Sequence, residues 1–209
     1  MERKEILKKI SGIQSELSAV NNIMKSIETA GLMFPEIYES LTVEAAMKTE
    51  KTACRLRHLI YAELNITKRE VMKKTAVVHG IEINYAEGIF TVTFPALLPK
   101  KKKQSNSEFI TDPLYFALEE YFNNNNFELF VGCVVVFEHI YCKDTPSRRI
   151  RDYDNIELKP VLDTVSAFVM TDDGGRFCDV FHTTKYAEKN CAKISVMTKN
   201  KFTEWLAER

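Results

Sequence analysis

Glycine and proline are scarce in this chain, seven and six among 209 residues. That excludes collagen-like, turn-built solenoid and disordered architectures, which need far more of one or both. Long apolar runs are missing too. The longest, Val131–Phe137, is the size of a strand and falls well short of the ~20 residues of a membrane helix, so no membrane association is expected. The N-terminal MERKEILKKI interleaves charges with apolar residues and lacks the apolar core of a secretory leader. The five cysteines (Cys54, Cys133, Cys142, Cys178, Cys191) are odd in number and scattered. They suggest neither a disulfide framework nor a C-x-x-C metal knuckle, and a reducing, cytoplasmic setting is expected. An excess of one charge is also absent, with 29 Lys+Arg against 29 Asp+Glu. This excludes a protein that coats DNA through a global basic field. No G-x-G-x-x-G, G-x-x-x-x-G-K-[ST] or G-x-S-x-G occurs, so a Rossmann fold, a P-loop or a hydrolase elbow has no support.

What is present is apolar material, 45% of residues with 11% aromatic, enough for a sizeable core. At ~100–200 residues per domain, one domain with an appendage is expected. The appendage lies first. Ile6, Ile10, Ile13, Leu17, Val20, Met24 and Ile27 recur at alternating spacings of four and three, the heptad pattern of a helix with one apolar seam. Gly31 suits a helix C-terminus and Pro35 follows it. A second helix is expected over Thr42–Leu64, with Ala46, Ala53, Leu56, Ile60 and Leu64 inward. Residues 1–78 thus read as a helical hairpin. Its seam, residues 6–27, can be buried on the rest of the chain, on a second copy in a homodimer, or on a protein partner.

From residue 79 the periodicity changes to two. Ile81–Tyr85 and Ile89–Phe94 alternate around Glu87-Gly88, a β-hairpin. A basic loop, Lys100-Lys101-Lys102-Lys103, follows; it can be a solvated connection or a phosphate contact. Pro113–Tyr121 should be a helix, Phe127–Cys142 a long central strand, and 155–169 a helix. Phe177–Tyr186 and Ala192–Met197 should be strands, and Lys201–Ala207 a closing helix. Residues 79–209 therefore read as an α+β domain with helices on one mixed sheet.

Chemistry concentrates in Arg148–Arg176, which holds Asp152 and Asp154 before the helix expected over 155–169 and Asp172-Asp173 after it. If the two acidic clusters meet, they offer hard oxygen ligands suited to Mg²⁺ or Mn²⁺. A metal of that kind can activate water against a phosphodiester. Each cluster also has a purely structural reading. Asp154 followed by Glu157 resembles a helix-start pattern, and Asp172-Asp173-Gly174-Gly175 has turn composition. His58, His79, His139 and His182 stand isolated, without metal-ligand spacing.

Taken together, the D-Y-D-N stretch, Lys159 in the helix and the D-D turn opening a strand resemble the RusA-like Holliday-junction resolvases over residues ~89–198. The resemblance implies a Mg²⁺-dependent endonuclease (Mn²⁺ serving as well) that acts as a homodimer on branched DNA in recombination and repair, of a kind carried by phages and mobile elements. It implies Asp152, Asp154 and Asp173 as metal ligands supported by Asp172, with Asn155 bracing the turn and Lys159 as the catalytic lysine. Arg148, Arg149, Arg151 and the lysines at 100–103 would contact DNA. Lys159 stands one residue later than the family's lysine, a rotation of ~100° on a helix. The other reading is an inactive RusA-like binding or assembly module that uses its N-terminal helices for protein interaction.

Overall fold

The computed structural model describes residues 3–31, 34–63, 66–101 and 108–209, and divides into two compact units, Met1–Val71 and Met72–Arg209.

In the first unit α1 (Arg3–Ser26) widens into a π-helical turn over Ile27–Gly31, and α2 (Pro35–Glu63) follows. The two helices run antiparallel. Glu16 lies 2.9 Å from Arg55 and 3.5 Å from Lys51, while Lys8 and Lys9 share a groove with His58 and Leu59. The heptad seam splits in two. Ile13 is buried and Ile6, Val20 and Ile27 are half-buried, whereas Ile10, Leu17 and Met24 face solvent. The inward face of α2 differs from the expected one: Ala46 and Leu56 are exposed, and Ala45 and Thr52 are buried instead. One residue is ~100° on a helix, and Thr52 can be buried because its hydroxyl donates to the Lys48 carbonyl at 2.8 Å. The side chain of Ile60, and Leu64 entirely, lie outside the described residues.

A helix not anticipated from periodicity, α3 (Lys68–Val78), spans the boundary between the units. Its start is a capping box. The Thr67 N–H donates to the Glu70 carboxylate at 2.8 Å, and the Glu70 N–H donates to the Thr67 hydroxyl at 3.3 Å.

The second unit is a five-stranded mixed sheet ordered β1-β2-β5-β3-β4. β1 (Glu82–Ala86) and β2 (Ile89–Phe94) form the hairpin, and Glu87 and Gly88 both carry positive φ, 53° and 78°, the signature of a two-residue type I′ turn. β3 (Cys133–Cys142) and β4 (Cys178–Ala187) are parallel, joined through α5 (Lys159–Val169). β5 (Cys191–Thr198) lies antiparallel between β2 and β3. The class is α+β, as expected.

β3 begins later than its apolar run suggests, because Gly132, at φ 73°, turns the chain just before it. Its residues alternate between two cores. Cys133, Val135 and Phe137 join Leu114 and Leu118 of α4 (Glu108–Asn124) and Val161, Val165 and Val169 of α5. Val134 and Val136 join Phe202 and Trp205 of α6 (Lys199–Ala207) on the other face. A strand buried on both faces reads as a continuous apolar run. α4 extends further than expected at both ends, with Pro113 inside it. α5 starts at Lys159 and not at 155, with Pro160 in its first turn, where a missing N–H costs nothing. Among the described residues no helix is long and apolar enough to cross a membrane.

Candidate functional site

The acidic stretch follows β3 and folds back over the sheet. Two short 3₁₀ turns, Ser147–Arg149 and Tyr153–Asn155, replace the helix expected to begin at 155. A backbone ribbon fixes the second. The Lys101 N–H donates to the Asn155 carbonyl and the Glu157 N–H donates to the Pro99 carbonyl, both at 2.9 Å, with Lys100 bridged to Ile156. Buried Leu98 and Ile156 root the ribbon in the core. The start of the lysine loop is thereby held beside D-Y-D-N, with Lys100 and Lys101 exposed. Lys102 and Lys103 lie outside the described residues. Asn155 braces this turn through its main chain.

Arg151 is committed to the scaffold. Its N–H donates to the hydroxyl of buried Tyr141 at 3.0 Å, and its guanidinium donates to the Leu98 carbonyl. Arg148 and Arg149 are exposed. Exposed cations thus flank the acidic turn from two segments, Lys100 and Lys101 on one and Arg148 and Arg149 on the other.

Asp152 and Asp154 are exposed. Asp152 precedes the 3₁₀ turn without capping it through its side chain, and Asp154 is well short of the helix start, so the capping role open to it is not the one it takes. Asp172 does take a local role: its Oδ1 accepts the Gly174 N–H at 2.6 Å. A Cβ on Gly174 would sit 2.8 Å from that oxygen, so a larger residue there would displace the Asp172 carboxylate. Lys159, first residue of α5, is ion-paired with Asp163 one turn on at 2.9 Å. The hydrogen bond to Asp163 raises the ammonium's pKa, and Asp173 adds a smaller pull in the same direction. The acid beyond the helix therefore acts electrostatically on the residue at its beginning.

Hard carboxylate oxygens are the right donors for Mg²⁺ or Mn²⁺. Among the described residues, however, no group of three His, Cys, Asp or Glu side chains is placed to hold a metal ion. As they stand, Asp152, Asp154, Asp172 and Asp173 do not form such a ligand set.

Between the two aspartates lies an arrangement that sequence spacing did not reveal. Tyr153 stacks on His139 and His182, with centroids 5.3 and 5.1 Å apart, and its hydroxyl meets Thr184 Oγ1 at 3.1 Å. His182 in turn stacks on Phe137 at 5.4 Å. His139 is buried, and neither its Nε2 nor Nδ1 of His182 has a hydrogen-bond partner among the described residues. Burial first, then the positive charges of His182 and Arg151, push the His139 pKa down to about 4; burial lowers that of His182 as well. Both imidazoles are neutral near pH 7 and form an aromatic floor under the acidic turn. The legible hint was the alternation of Phe137, His139 and Tyr141 along one strand face.

Residues 2–209 match the model of a family of unknown function, DUF6100, and the chain belongs to that family. No protein of curated function matches. Among solved structures, a MotB-like protein from Desulfovibrio vulgaris superposes with a TM-score of 0.32 at 15% identity, covering 68% of this chain and 98% of that one. A score that low carries no weight for fold or function.

Proposed function

We propose that residues 79–209 of this family member form a RusA-like module that binds the phosphates of branched or otherwise structured DNA without cleaving it. The observation that carries this reading is the backbone ribbon between Pro99–Lys101 and Asn155–Glu157. It holds exposed lysines beside the acidic turn, whose own upstream segment presents Arg148 and Arg149. Cations on two rigidly joined segments can contact phosphates on two strands at once, and phosphate contacts of this kind set register and affinity. A net charge of zero over the chain suits a local contact better than indiscriminate coating. Among the described residues the carboxylates do not close into a ligand set and Lys159 is paired with Asp163, which supports binding over catalysis.

A second reading, Mg²⁺-dependent cleavage, is favoured by one observation. The carboxylates of Asp152, Asp154 and Asp173 accept no hydrogen bond and form no ion pair among the described residues, which leaves their oxygens available to a cation. A single experiment separates the readings: a labelled four-way junction and a duplex of the same sequence are offered to the wild-type chain and to Asp154→Asn, with EDTA, Mg²⁺ or Mn²⁺. Preferential junction binding without strand scission supports the module. Metal-dependent scission lost in Asp154→Asn establishes the nuclease. No binding in any condition overturns both.

A further inference from the structure

We propose that Cys133, Cys178 and Met170 form a binding site for a soft monovalent metal ion of the copper(I) class. This inference is independent of the DNA reading. Cys133 and Cys178 open the parallel strands β3 and β4 and are register partners across them. As register partners on adjacent parallel strands, both within one buried cluster, the two thiols lie on the same face of the sheet. Met170, directly after α5, brings its thioether sulfur to 3.1 Å from Cys133 Sγ. All three residues are buried, at 0%, 5% and 4% exposure. The segment that carries Met170 is pinned there by a bridge to Phe130 and by the Thr171 N–H donating to the Phe130 carbonyl at 3.1 Å.

Three sulfurs from three segments thus belong to one core cluster at one end of the sheet, and of Met170 and Cys178 the S–H of Cys133 serves Met170. A proton can serve only one of them, whereas a soft cation can take a lone pair from each. Two thiols and a thioether in an apolar pocket favour Cu⁺ over hard cations, and buried placement suits a weakly hydrated monovalent ion. Binding is not a redox step. The ion enters as Cu⁺, forms bonds to sulfur, and the displaced thiol protons leave to solvent. Asp173 and Asp179 act electrostatically on Cys178, so occupancy would be felt at the Asp172-Asp173 turn.

Cys54, Cys142 and Cys191 are also free thiols, so the test uses the full chain with those three replaced by serine. Anaerobic titration against the copper(I)–bicinchoninate complex should withdraw one equivalent of Cu⁺, and Cys133→Ala and Cys178→Ala should each abolish this. Met170→Leu, which conserves volume, should keep the fold, read by circular dichroism, and weaken binding at least about tenfold. In the otherwise wild-type chain, Ag⁺ as a redox-inert stand-in should raise the melting temperature, and less so in Met170→Leu. No withdrawal by the two-thiol chain, or an affinity unchanged by Met170→Leu, overturns the assignment.

Discussion

The ring of Tyr153 lies 5.3 Å from that of His139, nearly parallel to it at 27°. The residue between the two aspartates of the acidic turn thus holds that turn onto the sheet. Replacing it should therefore cost stability and also loosen the presentation of Asp152 and Asp154. Tyr153→Ala is expected to destabilise by about 2 kcal/mol, from lost ring stacking and burial. Tyr153→Phe should cost about 1 kcal/mol or less, the value of one hydroxyl contact to Thr184. Urea denaturation of the two variants measures the difference.

His139 makes stability depend on pH. Its pKa is 6.5 in the ordinary range and about 4 when folded, so between those values the unfolded chain binds the proton and the native chain does not. Stability is then fully present above pH 6.5 and falls as the pH drops toward 4, by roughly 3 kcal/mol over the whole window for a residue this buried. Melting temperatures at pH 7.5, 6 and 5 should decline in the wild type and decline less in His139→Phe. At neutral pH that variant should be no less stable, since it also removes an unpartnered buried nitrogen.

Arg151 and its neighbours should separate cleanly. Arg151→Ala removes the donor to the Leu98 carbonyl and should lower stability by about 1.5–3 kcal/mol. Arg148→Ala and Arg149→Ala should leave the melting temperature unchanged, because both side chains are exposed. Thermal scans of the three variants test this division between scaffold and surface.

Asp172 should behave as a turn residue. Asp172→Ala deletes the acceptor for the Gly174 N–H and should cost about 1 kcal/mol, while Asp172→Asn retains an oxygen there and should cost little. Equal losses in chemical denaturation would show that the charge, not the acceptor, matters.

The parts of this molecule that sequence makes legible are those encoded locally. Glu87-Gly88 between alternating runs specifies the hairpin, and the Cys-Val-Val-Val-Phe run specifies a strand buried on both faces. The Thr67-Lys68-Arg69-Glu70 box was equally legible as the start of α3, but a short helix with Val77 and Val78 exposed has weak periodicity. Pro160 likewise marks where α5 begins. What periodicity cannot convey is pairing between distant segments. The ribbon joining Pro99–Lys101 to Asn155–Glu157, and the stack of Tyr153 on His139 and His182, each depend on backbone paths set by the whole sheet. For the same reason the helix face of α2 was misplaced by one residue, since Ala45 and Ala46 differ only in which way the helix is turned.

The most direct measurement is the salt dependence of four-way-junction binding in EDTA, comparing wild type with the variant carrying Lys100→Ala, Lys101→Ala, Arg148→Ala and Arg149→Ala. Each phosphate contact contributes about 0.9 to the slope of log K against log salt on duplex arms, so the slope should become shallower by several tenths to one for every contact removed, while the melting temperature holds. An unchanged slope and affinity in that variant would contradict a phosphate-binding role for this surface.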